Sequence, residues 1–241
     1  MSEKANLLID VGNTSIKTTY YKHDTRSFSE TIRHSTPEQL DTLIQQSTHV
    51  YLSNVLKDDT SELIAKQCSL HQVPLFIAKT EATAFGLKNA YKKVENMGVD
   101  RWLAMLACMH RSQNNTFIVV DIGTAMTVDA VESGNHIGGW IVPGIRLLKE
   151  SLFKNTQRVF GAAEKTFLTD FGTDTPVCVD NGCSAQILGT LLMAEKIMKN
   201  KVNKFEIFLT GGDKNIISSI ELENIILCEN LVFEGLTLFV D

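Results

Sequence analysis

Apolar residues are grouped in short β-branched runs, and two of these runs end in the same pattern. In residues 7–14 and 117–124, the run ends in an acid, one apolar residue, a glycine and small hydroxyl or amide residues. Residues 15–21 and 125–131 then have a strand-like composition again. Such runs predict buried strands, and the glycine between them predicts a tight turn. Each copy therefore predicts a β-hairpin.

The turns of these two predicted hairpins have the composition of phosphate-binding loops. A glycine lets backbone N–H groups approach an anion, and the acid at the strand end can hold a hydrated cation. Ordinary β-turns can have the same composition, but two copies about 110 residues apart favour a duplicated unit. We therefore expect both hairpins to face one cleft and to bind the phosphates and metal of a nucleotide.

The rest of the chain alternates between helical and strand-like patterns with short connections, which predicts an α/β layer structure. The polar segment at residues 111–115 predicts a boundary between domains at 1–115 and 116–241. The predicted helices are 37–46, 61–70, 100–107, 145–152 and 175–199, and the further predicted strands are 49–55, 73–78, 137–142 and 204–210.

Composition narrows the functional classes. The 241 residues are 44% hydrophobic and carry a net charge of −5, which argues against a general binder of nucleic acid or anionic membranes. The five cysteines lack metal-binding spacing, so we expect free thiols in a reducing compartment. No apolar stretch approaches a membrane span and no secretory signal is expected before the first strand. These features predict a cytoplasmic protein.

Two further segments carry candidate chemistry. Asp100 and Arg101 follow a glycine at the start of a predicted helix. Capping explains the acid, but a cation is unfavourable at that end, so Arg101 suggests an anionic partner or an ion pair. The strand that ends in residues 210–213, Thr-Gly-Gly-Asp, leaves bare backbone where flat ligands bind in α/β proteins.

Six ordered motifs, which together span nearly the whole chain, resemble those of type III pantothenate kinases. They are residues 10–14, 98–101, 121–129, 138–144, 210–213 and 231–236. The resemblance implies the superfamily of acetate and sugar kinases, heat-shock chaperones and actin. It implies duplicated actin-like (ribonuclease H-like) domains with mixed sheets flanked by helices and a nucleotide cleft between them. The activity it implies is ATP-dependent phosphorylation of pantothenate to 4'-phosphopantothenate, the first step of coenzyme A biosynthesis.

The resemblance also implies roles for single residues. Asp100 matches the general base, Arg101 the partner of the pantothenate carboxylate, and Tyr91 an aromatic substrate contact. Thr175 matches a threonine that reaches pantothenate from the partner subunit of a homodimer. Asp10 is expected near Mg²⁺, and Asp121 at a monovalent cation, K⁺ or NH₄⁺. The remaining implied contacts are Gly98 and Val99 for pantothenate, and Val11, Gly12, Asn13, Thr14, Ser15, Ile16, Lys17, Thr124, Gly211, Gly212 and Asp213, with Asp10, for ATP.

Simpler interpretations stand beside these roles. Tyr91 could cover a hydrophobic edge, Thr175 could be only a helix cap, and Asp129 could pair with a backbone group or a lysine. Residues 156–160 depart from the Thr-Ala-x-Leu-Pro-like stretch of the family. Two rival classes are another small-molecule kinase of the superfamily and a non-catalytic actin-like nucleotide-binding or regulatory protein. The Gly-x-Asp-Arg segment speaks against the first, and the intact Asp10, Asp100 and Arg101 speak against the second.

Overall fold

The computed structural model describes residues 5–56, 59–160, 170–219 and 224–240. The chain divides into two compact units, Met1–His110 with Asn230–Asp241, and Arg111–Glu229. The predicted halves, 1–115 and 116–241, differ from this division at the C-terminus, where the last residues belong to the first unit.

The first unit is built on a mixed sheet. Strand β1 pairs antiparallel with β2 and parallel with β5, in the order β3-β2-β1-β5-β6, and β4 also pairs with β2. The strands of this sheet are β1 Asn6–Val11, β2 Ile16–Lys22, β3 Ser27–Phe28, β4 Ile32–His34, β5 Val50–Asn54 and β6 Leu75–Ile77. Two short strands outside this sheet, β7 Thr83–Ala84 and β8 Leu87–Lys88, pair with each other. The helices are α1 Asp41–Gln45, α2 Thr60–Leu70 and α3 Val99–Arg111, with 3-10 turns at Pro37–Leu40 and Val94–Asn96.

Both faces of this sheet are covered because successive side chains of a strand point to opposite faces. Leu7 and Ile9 pack in one cluster with Ile44 of α1 and with Ile64 of α2. Leu8 lies on the other face, in a cluster with α3. Burial on both faces explains why β1 is apolar without alternation.

The second unit repeats this arrangement. Its sheet has the order β13-β12-β9-β10-β11, which matches β6-β5-β1-β2-β3, and β9 pairs antiparallel with β10 and parallel with β12. Both predicted hairpins are therefore confirmed, and so is the duplicated α/β fold with mixed sheets. The elements are β9 Phe117–Ile122, β10 Ala125–Glu132, β11 Asn135–Pro143, α4 Ile145–Asn155, α5 Thr175–Lys199, β12 Glu206–Thr210, a 3-10 turn at Lys214–Ser219 and β13 Ile225–Leu227.

Helix α5 corrects one expectation. By length and composition alone it could cross a membrane, whereas no such stretch was expected from the sequence. Half of its most apolar window is buried, and Ile187 and Leu191 pack in the core of the second unit. Its apolar character is thus that of a core helix.

The last helix, α6 Leu231–Thr237, belongs to the first unit. Its Phe233 and Leu236 pack in one cluster with Leu8 and Leu103. The backbone of Gly235 lies against α3, since a Cβ there would be 2.2 Å from the Leu103 carbonyl oxygen. A glycine is therefore required for α6 to approach α3 this closely.

Candidate functional site

The turn of the first hairpin is bordered by an acid and a cation. Asp10, at the end of β1, is only 8% exposed, and its Oδ1 accepts a hydrogen bond from Ser53 Oγ at 3.2 Å. Lys17 lies directly across from Asp10 on β2, and Ser53 is level with Asp10 on β5. Because residues in register share a face, Ser53, Asp10 and Lys17 form one row. Ser53 was not singled out from the sequence, although its strand does end in small polar residues.

The start of α3 lies on the same face of the sheet as this row. Asp10 is two residues after Leu8 and so points to the same face, and Leu8 shares a cluster with Val99. The Val99 side chain is buried there, which leaves its backbone for the predicted substrate contact. Val11 and Ile16, predicted in the ATP segment, are likewise buried in the core of the first unit.

The predicted substrate residues Tyr91, Gly98, Asp100 and Arg101 lie together. Arg101 Nη1 donates to Tyr91 Oη at 3.0 Å, and Arg101 Cζ is 5.8 Å from the Tyr91 ring centroid. Arg101 is 7% exposed, so its charge is largely removed from water. Asp100 Oδ1 accepts a hydrogen bond from Arg101 N at 2.8 Å, and a Cβ on Gly98 would lie 2.5 Å from that oxygen. Because Gly98 has no side chain, the carboxylate of Asp100 can occupy this position.

Three glycine motifs converge at one end of the sheet in the second unit. Asp213 N donates to Ile122 O at 3.0 Å, and Gly144 N donates to Thr124 O at 3.0 Å. Gly211 has a φ of +102°, and a Cβ there would be 2.3 Å from the Ile122 carbonyl oxygen. The turns at residues 121–124, 143–144 and 210–213 are thus packed backbone against backbone.

Asp121 has neutral hydroxyl residues in register on both sides. Thr127 lies across from it on β10, and Thr210 is level with it on β12. Carboxylate and hydroxyl oxygens are the donors that hard cations prefer. The chemistry of these side chains therefore fits a cation at Asp121.

Asp129 pairs with a histidine, which is a partner not considered from the sequence. Its Oδ1 is 3.0 Å from His136 Nε2, and both side chains are buried. The two residues belong to β10 and β11, whose register shifts between Ala130 and Val131. This irregularity explains why the pair could not be placed from sequence spacing.

Thr175 begins α5 beside a cavity of about 540 Å³ in the second unit, which is also lined by Val159 and Cys178. Asp174 is the N-cap, and its Oδ1 accepts from Val177 N at 3.0 Å. Thr175 is therefore not the capping side chain. Val159 lies in the stretch that departs from the family pattern, so that stretch borders the same cavity.

In the described part of the chain, no group of three or more His, Cys, Asp or Glu side chains could hold a metal ion. A Mg²⁺ ion commonly uses only one or two carboxylates together with substrate phosphates and water. Asp10, buried at a glycine turn, fits that smaller requirement.

Comparison with solved structures defines the class of the fold. A protein from Campylobacter jejuni described as a Baf family transcriptional activator matches with a TM-score of 0.62 at 20% identity, over 97% of this chain and 96% of that one. A protein from Sinorhizobium meliloti described as a 2-dehydro-3-deoxygalactonokinase matches with a TM-score of 0.60 at 11% identity, over 97% of each chain. With its two units of equivalent strand order, the protein has the actin-like fold of the sugar kinases.

Sequence comparison gives the family within that class. The model of the type III pantothenate kinase family matches residues 6–199. The type III pantothenate kinase of Pseudoalteromonas atlantica is 36% identical over 98% of both chains. That of Pseudoalteromonas translucida is 34% identical over 95% of this chain and 94% of its own. The chain belongs to the type III pantothenate kinase family, and it is a kinase.

Proposed function

We propose that this protein transfers the γ-phosphoryl group of ATP to the primary hydroxyl of pantothenate, giving 4'-phosphopantothenate and ADP in the first step of coenzyme A biosynthesis. The observation that carries the proposal is the cluster of Tyr91, Asp100 and Arg101 at the start of α3. The buried guanidinium of Arg101 can hold an anionic substrate, and the carboxylate of the adjacent residue Asp100 can act on the hydroxyl of that substrate. We assign the reaction to the cytoplasm.

Asp100 is the general base in this proposal. Its Oδ1 accepts the backbone N–H of Arg101, which fixes the direction of the carboxylate. The carboxylate takes the proton of the attacking hydroxyl, a role worth about 10²–10⁴-fold in rate. Arg101, oriented by Tyr91, binds the carboxylate of pantothenate with a planar fork that lysine lacks.

The nucleotide is bound by the glycine turns. Asp10, Lys17 and the backbone of residues 11–16 hold the phosphates, and Thr124 with residues 211–213 contacts the rest of ATP. Asp10 would hold Mg²⁺, and Asp121 would hold K⁺ or NH₄⁺. When bound, these cations supply positive charge that offsets the phosphates, which is the main requirement of phosphoryl transfer.

The active assembly in this proposal is a homodimer in which Thr175 contacts the pantothenate of the partner subunit. Two features support the assignment of Thr175. Its side chain is not the N-cap of α5, and it borders a cavity. Helix α5 also exposes the apolar side chains of Val177, Leu192, Met193 and Ile197. A second copy that packs on this helix would remove those side chains from water.

A coupled assay of ADP release with pantothenate tests the proposal, with Asp100→Asn as the informative variant. We expect kcat to fall about 10²–10⁴-fold because the base is lost, while ATP affinity measured by calorimetry stays unchanged. Asp24→Asn, at an exposed turn of the same unit, is the matched control and keeps full activity. Turnover of Asp100→Asn comparable to the wild type would show that Asp100 is not the general base. ADP release with a sugar acid but not with pantothenate would show that pantothenate is not the substrate.

A further inference from the structure

The row of polar side chains at the first hairpin extends to a fourth strand. Arg33 of β4 lies directly across from Lys17 of β2, and Lys17 lies across from Asp10. The three side chains therefore share the face of the sheet that carries α3. Arg33 was not among the predicted site residues, because its place beside Lys17 depends on the pairing of β4 with β2.

The Arg33 side chain reaches the turn of the hairpin. Its Nη1 is 3.5 Å from Ser15 Oγ, a residue of the predicted phosphate segment. Arg33 is exposed, so the guanidinium is accessible to a ligand at that turn.

The two cations Lys17 and Arg33 outnumber the one carboxylate of the row, Asp10, so the row favours an anionic ligand. Like charges directly across a strand pair are unfavourable. Among the described residues, neither Lys17 nor Arg33 forms an ion pair with a carboxylate. Burial lowers the pKa of the neighbouring His34, which favours its neutral form. Two cations thus lie beside a glycine turn in which Asn13 and Thr14 are exposed.

We propose that Arg33 is a further phosphate-binding residue for ATP, which acts with Lys17 as the second cation of the first hairpin. Its planar fork can donate two hydrogen bonds to one phosphate, whereas Lys17 acts as a point charge. The inference rests on the proposed function, since it assumes that the first hairpin binds the phosphates of ATP.

Calorimetric titration of the full chain with ATP and with adenosine, in buffer containing Mg²⁺ and K⁺, tests this role. Arg33→Gln is expected to weaken ATP binding about tenfold, because a charge-assisted hydrogen bond is lost. Arg33→Lys keeps the charge without the fork and is expected to lose about threefold. Adenosine affinity stays unchanged in both. Lys22→Gln, at the far exposed end of β2, is the matched control and binds ATP like the wild type.

The other outcomes distinguish failure of the proposed function from failure of the role of Arg33. Wild-type protein that does not bind ATP removes the proposed function and this inference with it. Wild-type affinity in Arg33→Gln removes the inference alone. Equal losses for ATP and adenosine, or a lowered unfolding temperature, show that Arg33 supports the hairpin rather than the phosphates, which also overturns the proposal.

Discussion

The two glycine hairpins have the same backbone pairing but differ in what surrounds the acid. Lys17 lies across from Asp10 in the first, whereas Thr127 lies across from Asp121 in the second. The hairpin glycines themselves are alike, since a Cβ on Gly12 or on Gly123 would meet nothing closer than 3.5 Å. The second turn differs because Gly144 packs against it, where a Cβ would lie 2.1 Å from the Gly123 carbonyl oxygen.

This difference shows how a duplicated unit can acquire two tasks. The first turn is open and bordered by cations, which suits the direct binding of phosphate. The second turn is held by neighbouring backbone and has neutral hydroxyls beside its acid, which suits a bound cation. In the proposed function, the two turns share one backbone arrangement, and single cross-strand residues determine the sign of the charge that each turn attracts.

Lys17→Thr places a neutral hydroxyl residue across from Asp10, as Thr127 lies across from Asp121 in the second hairpin. Of the changes that test the comparison of the two hairpins, this one has the largest expected effect. ATP affinity should fall about 10–100-fold, because a charged donor to phosphate is removed. Titration calorimetry measures the change, with Lys22→Thr on the same strand as control. Unchanged affinity would mean that the two hairpins do not differ in the way proposed.

Alanine at the two kinds of glycine tests the difference in packing. Gly144→Ala should lower the free energy of unfolding by about 1–3 kcal/mol, because the added methyl overlaps carbonyl oxygens of the turn. Gly12→Ala should change it by less than about 0.5 kcal/mol, since its surroundings are open. Urea unfolding of both variants provides the measurement. Equal losses would contradict the contrast between an open and a packed turn.

Thr127→Lys is the reciprocal exchange of the cross-strand residue. If the site at Asp121 accepts K⁺ but not Na⁺, wild-type turnover should be at least about fivefold faster in KCl than in NaCl, because a bound cation is worth about 1 kcal/mol even with strong solvent screening. The ammonium of the new lysine should replace that cation and bring the ratio close to one. Full wild-type turnover in a sodium-only buffer would contradict the cation site at Asp121.

Local patterns were sufficient to predict much of this molecule. The hairpins follow from apolar runs broken by glycine, and the start of α5 follows from Asp174 before Thr175 and Pro176. These features depend on residues that are close in sequence, for which periodicity and capping are informative.

Other features depend on pairings that no local pattern encodes. The contact of Ser53 with Asp10 requires the parallel pairing of β5 with β1, and the place of Arg33 requires that of β4 with β2. Likewise, His136 meets Asp129 only across an irregular strand pair. A single sequence therefore does not predict which side chains of other strands complete a site.

The return of α6 to the first unit has a consequence for biosynthesis. Residues 1–110 are synthesised before residues 230–241. During that interval, Phe233 and Leu236 are not yet available to pack against Leu8 and Leu103. The native packing of the first unit is completed only after helix α6 has been translated. A chain that is cut before residue 230 would thus leave Leu8 and Leu103 without these two packing partners.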